Sequence, residues 1–345
     1  MDRRGPEFGG TNIQPEHDVD RGNIKSAMRH LVAKAASATG LIGSRERAVR
    51  DHVTILCYHR VLPDEQRRAY HDPDLVVTPE VLRAQCRVLA ERYTVATLGA
   101  ALAAEPGPRH PARPLAVITF DDGYRDNVFY AAPILREAGL TATFFVVAGL
   151  VDTERLPWYD IAGGALQALQ RSGRMTGPTP KEAVSLAKAM PPAERQAWID
   201  GLVRDSGPIE SRTEDQIMTS DQVRGLVAAG HEVGSHSMTH PLLPQCSDEE
   251  LDFEVSASRE RLGNIVGRSI ESFCYPNGDW DDRTVAAVRK AGYACATTMQ
   301  PGLNPGDRMA RFDLKRWFID QGRLTDKSGR PSNELLRMKL CGLVK

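Results

Sequence analysis

Aromatic residues are scarce, at 6% of 345 positions, and the charges nearly cancel, 44 Lys and Arg against 45 Asp and Glu. A formal net charge of −1 supplies no global field to gather a polyanion, which excludes a general nucleic-acid binder. Six cysteines are present (Cys57, Cys86, Cys246, Cys274, Cys295 and Cys341), but no two form a C-x-x-C pair. That excludes a zinc ribbon and a thioredoxin-like motif, and unpatterned cysteines suit a reducing compartment. The longest apolar run, about Leu140 to Val151, is broken by Thr and Gly and falls short of the ~20 residues that span a bilayer. The opening residues, MDRRGPEFGGTNIQPEHDVD, lack the apolar core of a secretory signal. A soluble, cytoplasmic protein is therefore expected. At ~150 residues per domain the length allows one large domain or two ordinary ones.

What is present is a repeated alternation. Residues 1–23 are polar and read as disordered, and residues 24–38 set Ile24, Met28, Leu31, Val32 and Ala35 on one helical face among Lys25, Arg29 and Lys34. That face is expected to pack on the domain, with weak contact to a membrane surface as the alternative. Short apolar strands follow at Thr54–His59, Tyr93–Leu98, Leu115–Phe120, Thr141–Val147, His231–Ser235, Ile270–Tyr275, Ala294–Thr298 and Arg316–Ile319. Helical patterns lie between them at Pro79–Glu91, Ala131–Glu137, Asp221–Ala229, Asp248–Leu262 and Arg283–Ala291, most ending at a glycine. This is an α/β pattern, a parallel sheet or a β/α barrel. Residues 152–217 break the rhythm and read as a helical insertion without a core of its own. Residues 308–345 carry ten Lys and Arg against four Asp and Glu, a net of +6, and include the apolar helix candidate NELLRMKLCGLV; 321–345 reads as a solvated basic tail. A peripheral membrane role for that tail is the alternative.

Four motifs carry chemistry, and each closes a predicted strand. Thr119-Phe120-Asp121-Asp122-Gly123 offers two adjacent carboxylates; a metal would fix Asp122 ionised and leave Asp121 as a base. In GHEVGSHSMTH, His236 and His240 are four apart and would share a face on a helical turn, and with one carboxylate they make an open, catalytic type of metal site. His231, at the start of that strand, reads as structural. Tyr275-Pro276-Asn277-Gly278 is a turn that can present a backbone N–H to an oxyanion, or simply a turn. His59, in Cys57-Tyr58-His59-Arg60, is open between general acid, ligand and ordinary loop residue. Tyr275, Trp158 and Trp280 are candidates for sugar stacking, with packing the plainer role. In β/α barrels, catalytic groups collect on the rim where these motifs fall.

Together the TFDDG run, the H-S-x-x-H core and the Tyr-Pro-x-Gly turn, in that order, resemble the polysaccharide deacetylase (NodB-homology) superfamily over roughly residues 52–320. The resemblance implies a distorted (β/α) barrel and a divalent metal, usually zinc, on Asp122, His236 and His240. It further implies Asp121 as base, the Asn277 N–H as oxyanion donor, and an N-acetylated glycan as substrate. Two features depart from the common pattern. The arginine that usually pairs with the base is absent beside Pro276, where Cys274 and Tyr275 stand, and no histidine follows His240. TILCYHRV resembles a branch acting on exopolysaccharides, whose barrel is circularly rearranged and whose acid lies on an early Tyr-His strand, which assigns the acid role to His59. Leu314-Lys315-Arg316 also resembles that branch. The expected function is metal-dependent removal of N-acetyl groups from N-acetylhexosamine units. The alternatives are a non-catalytic glycan-binding barrel and a hydrolase of another C–N bond.

Overall fold

A computed structural model of the chain describes residues 16–103, 113–209, 211–306, 309–326 and 328–344. The strands are β1 (His52–Tyr58), β2 (Arg60–Val61), β3 (Val76–Val77), β4 (Thr94–Ala96), β5 (Leu115–Phe120), β6 (Thr143–Val146), β7 (Glu232–Ser235), β8 (Ser272–Cys274), β9 (Cys295–Thr297), β10 (Asn304–Pro305) and β11 (Trp317–Phe318). All eight strands expected from the sequence are among them; β2, β3 and β10 are two-residue pairings too short to leave a pattern. Strands β1, β5, β6, β7, β8 and β9 lie side by side in that order, each pair parallel. The segment after residue 313 closes the ring: Leu314 bridges Thr297 of β9, and β11 pairs with β1. A distorted (β/α) barrel results. The all-apolar LAVITF run of β5 is wholly buried because both faces of the sheet are covered.

Register positions the rim. Tyr58 pairs with Phe120, Val146 with Ser235, and Ser235 with Phe273. The residues that come next, His59, Asp121 and His236, therefore leave the sheet at one level.

Helices α1 (Glu16–Ala38) and α2 (Leu41–Ala48) precede the barrel. Helices α3 (Asp64–Ala69), α4 (Pro79–Arg92), α5 (Leu98–Ala103) and α6 (Ala132–Glu137) link its early strands. The insertion holds α7 (Trp158–Arg171), α8 (Pro180–Ala187) and α9 (Pro192–Ser206). Helices α10 (Ser220–Ala228), α11 (Asp248–Asp252), α12 (Ser258–Val266) and α13 (Asp282–Lys290) serve the later strands, and α14 (Gln321–Leu324) and α15 (Asn333–Leu340) follow β11. Capping boxes at Thr179, Thr219 and Ser247 start α8, α10 and α11 where the sequence has Thr/Ser-x-x-Glu/Gln. The insertion does not stand apart: Tyr159, Leu166, Leu169, Val184, Ile199 and Leu202 join the main apolar core.

Several expectations need correction. Residues 1–15 of the expected disordered start lie outside the described residues, while 16–23 are the first turns of α1. Of the α1 stripe expected to pack, Met28, Leu31, Val32 and Ala35 face outward and Ile24 lies outside the described side chains; Ala33 and Ala36 pack instead, because small side chains let α1 approach α15 closely. The helix expected to stop at Gly263 passes through a π turn at Phe253–Ala257 and runs to Val266, ended by Gly267 at φ 73°. The basic tail is a packed helix: α15 buries Leu335, Leu336, Met338 and Leu340. Its cations are engaged, Arg337 with Glu46 at 2.8 Å and Lys339 over the Trp317 ring. The apolar helix candidate NELLRMKLCGLV therefore packs on the body and is not part of a solvated tail.

Candidate active site

The backbone turns sharply after β5. Asp122 has φ 71° and Gly123 φ 81°, so two successive residues lie in the left-handed region. A Cβ on Gly123 would come within 2.9 Å of Val146 Cγ1, so the turn also requires its glycine for space. This reversal is what sends the two neighbouring carboxylates to different partners. Five non-glycine residues among those described have positive φ, and four of them, Asp122, Ser237, His240 and Asn277, stand in or beside this site. Such conformations cost of order 1–3 kcal/mol each and persist where the surroundings impose them.

Asp122 faces the histidines. Its Oδ1 lies 3.5 Å from His236 Nε2 and 3.6 Å from His240 Nε2. The two histidines share no helix, contrary to the expected helical turn. His236 directly follows β7, and His240 comes after a short loop in which Ser237 Oγ accepts the His240 N–H at 3.0 Å. Glu254, delivered by the π turn, accepts the backbone N–H groups of Met238 and Thr239 at 2.8 and 2.9 Å and pins that loop.

These three residues fit a metal. Their donor atoms all lie within 4.8 Å of one another, and all three residues are buried. His236 Nδ1 is 2.8 Å from the Cys274 carbonyl, an acceptor that fixes the proton on Nδ1 and leaves the Nε2 lone pair for an ion. Burial pushes the Asp122 carboxyl up to about 7, with Asp121 adding to the rise and His236 opposing it; a bound cation would reverse that balance. Burial also holds His240 well below the ordinary histidine value, so it is neutral, as a ligand must be. Two nitrogens and one carboxylate are a catalytic rather than a structural donor set. Two further groups, Cys57 with His59 and Asp121, and Cys274 with Asp121 and His236, are as compact. They fit less well, because burial drives both thiols well above their ordinary values and Asp121 is already engaged.

That engagement is with Arg316, which donates to Asp121 Oδ1 at 2.7 Å and to Oδ2 at 2.8 Å. Burial alone would raise the Asp121 carboxyl; the guanidinium overrides it and holds the group well below the usual carboxylate range. The arginine absent beside Pro276 is thus supplied from the closing segment of the barrel, and Cys274 fills the vacated place, with Arg316 Nη2 3.1 Å from its Sγ. The sequence signal was only an arginine opening the apolar strand candidate Arg316–Ile319; in the structure Arg316 is fully buried.

His59 does reach the site. Its Nε2 lies 4.0 Å from Asp121 Oδ2. Burial lowers it to about 4, with Arg316 and His236 adding to the fall and Asp121 opposing it, so the resting imidazole is neutral and not the cation expected. Asn277 stands across the cavity at φ 60°; its Oδ1 accepts from Lys188 and its Nδ2 donates to Asp279 at 2.6 Å. The cavity these groups line measures about 190 Å³, with Tyr159, Lys188 and Met299 completing its wall. Sequence reasoning missed Tyr159 and Lys188, which come from the insertion; Tyr159 sets its ring 4.9 Å from that of His240. Two stacking candidates are packing residues: Tyr275 is buried against Trp280, and Trp158 donates its indole N–H to the His240 carbonyl at 3.2 Å. His231 is structural, accepting the Ala142 N–H at 3.2 Å.

Comparison with known proteins agrees with this geometry. A family model described as polysaccharide deacetylase matches residues 109–296, more than half of the chain. The chain belongs to the polysaccharide deacetylase family. Among curated relatives, YxkH of Bacillus subtilis is 21% identical over 214 residues, 62% of this chain and 54% of its own length. A chitooligosaccharide deacetylase of Azorhizobium caulinodans is 33% identical over 64 residues, 18% of this chain and 30% of its own. The chain thus spans about half of the first relative and less than a third of the second. Among solved structures, a Bacillus cereus polysaccharide deacetylase has a TM-score of 0.56 at 20% identity, covering 84% of this chain and 69% of that one. Streptococcus pyogenes PplD scores 0.54 at 19% identity (78% and 92%), and Ammonifex degensii IcaB 0.53 at 19% (78% and 92%). These likenesses establish the fold. Asp121, Asp122, His236, His240 and Asn277 lie within the matched segment, and His59 and Arg316 lie outside it.

Proposed function

We propose that the protein is a metal-dependent hydrolase that removes N-acetyl groups from N-acetylhexosamine units of a glycan. The observation that carries the reading is the division of labour between two adjacent aspartates, one facing two histidines and the other clamped by a buried arginine. Asp122, His236 and His240 would hold a divalent cation, zinc being the ion best suited to this donor set. Such an ion supplies Lewis-acid polarisation of a carbonyl and a water of lowered pKa.

The remaining steps belong to the chain. Asp121 accepts a proton from the water that attacks the acetyl carbon. The Asn277 N–H donates to the oxygen as it gains charge, a contribution of about 3 kcal/mol for one such donor. Asp121, held far below the usual range by Arg316, keeps that proton poorly, while His59 at about 4 is the stronger base and lies 4.0 Å away. His59 takes the proton and gives it to the nitrogen as the C–N bond breaks, leaving acetate and a free sugar amine. Acid–base help of this kind is worth roughly 10²–10⁴-fold. With the acid on the first barrel strand, this reading favours the circularly rearranged, exopolysaccharide-type branch. The small cavity suits a single sugar ring at the reacting position.

The test is acetate release from N-acetylhexosamine oligomers by zinc-loaded protein. Release that stops on chelation and returns with metal supports the reading. Metal uptake without acetate from any N-acetyl sugar would leave the glycan-binding alternative, and release of another acyl or amine product would point to a different C–N bond.

A further inference from the structure

Over residues 27–38, helix α1 is built inside out. This part packs against the body through Ala33 and Ala36, whereas Met28, Leu31 and Val32 are 60%, 70% and 54% exposed. At 100° per residue, Met28, Leu31, Val32 and Ala35 fall on one stripe, and the packed alanines fall on another face. Leu41, at the start of α2, is 52% exposed as well, so four of the seven exposed large apolar residues described belong to this helical pair. Folding normally spends large side chains on the core and leaves alanines outside, and contiguous exposed apolar surface of this kind marks an interaction site.

Charge identifies the occupant. Across residues 16–50 the chain carries Arg21, Lys25, Arg29, Lys34, Arg45, Arg47 and Arg50 against Glu16, Asp18, Asp20 and Glu46, seven cations to four anions, and three of those acids stand in the first turns of α1. Glu46 is already bound by Arg337 at 2.8 Å. On the wheel Lys34 borders the apolar stripe on one side and the exposed Arg29 lies beyond Ala36 on the other, while Arg45, Arg47 and Arg50 are exposed on the α2 side. An apolar stripe between cations is what an interfacial helix needs to seat its side chains at the acyl boundary and its charges among anionic headgroups. A self-interface would instead set this net positive surface against its own copy. We propose that the α1–α2 pair docks the protein on an anionic lipid surface. This surface lies away from the catalytic rim, since α2 leads into the start of β1 and His59 follows its end. The proposal does not depend on the activity proposed above.

The experiment uses the full chain and two kinds of vesicle, phosphatidylglycerol mixed with phosphatidylcholine and phosphatidylcholine alone, in flotation assays at low and high salt. Binding is expected to the anionic vesicles, weakening as salt rises. Met28→Ser/Leu31→Ser/Val32→Ser should reduce it about a hundredfold. Arg29→Gln/Lys34→Gln should reduce it about 25-fold, at roughly fivefold per cation. Circular dichroism should be unchanged in both, as the altered side chains are exposed. No binding to anionic vesicles at low salt, or binding that neither variant weakens, overturns the proposal. So does a concentration-dependent dimer that the apolar variant abolishes while vesicle binding is absent.

Discussion

Arg316 donates two charge-assisted hydrogen bonds to Asp121, and Asp122 faces two imidazoles a few ångströms away. Chemically identical side chains, adjacent in sequence, are thus held at opposite ends of the carboxylate range, Asp121 low by Arg316 and Asp122 high by burial. The chain leaves the strand at Asp122, whose φ is 71°, so its carboxylate is placed by the turn and not by the strand alternation. Arg316→Met should leave the buried Asp121 charge uncompensated. A loss of about 3–5 kcal/mol is expected in denaturant unfolding at neutral pH. Arg316→Lys should recover part of that stability but less of the turnover, since an ammonium cannot reproduce the two-pronged contact. Stability unchanged in Arg316→Met would mean that the pair contributes nothing to holding the site.

Among the elements, the insertion matters most. Helix α7 carries Tyr159 to the His240 ring and Asp160 into a buried network, where Asp160 accepts from Tyr124 at 2.6 Å, lies 2.8 Å from His71 Nε2 and accepts from Tyr70. His71 lies so close to α7 that a Cβ on Gly163 would meet its ring at 2.4 Å. An exposed helical Gly→Ala change stabilises by up to about 1 kcal/mol. Gly163→Ala should reverse that sign and cost about 1–3 kcal/mol by overpacking. Thermal unfolding reads the sign directly, and a stabilised variant would show that the His71 wall yields freely.

What the sequence disclosed follows from the same elements. Strands such as LAVITF were legible because burial on both faces writes continuous apolar runs, and the rim residues because each motif closes a strand. Arg316 was hard to place because its partner lies 195 positions away, beyond any local pattern. The outward stripe of α1 was misread because periodicity shows that a helix has an apolar face without showing what that face meets. The packed α15 was misread because ion pairs such as Arg337–Glu46 join distant segments, and a local charge count cannot see them.

At the scale of the molecule, a net charge of −1 is an average over a buried acidic and histidine-rich site, engaged basic segments and a cationic helical pair. Stability should report the buried histidine. His59 binds its proton near 4 in the folded chain and near 6.5 when unfolded, so between these values the unfolded state holds more protons. Its contribution is fully present above about pH 6.5 and is lost as pH falls toward 4, by up to about 3 kcal/mol. Metal-free His59→Asn should therefore lose less stability than the metal-free parent between those pH values, as read by urea unfolding at each. Parallel losses would place His59 in water rather than in the site.

The division of roles between the aspartates is tested most directly by measuring metal content and acetate release side by side in Asp121→Asn and Asp122→Asn. Asp121→Asn should retain its metal and lose turnover by at least about a hundredfold. Asp122→Asn should lose metal and activity together. An Asp121→Asn enzyme that turns over at the parent rate, or an Asp122→Asn protein that keeps its metal, would contradict the account.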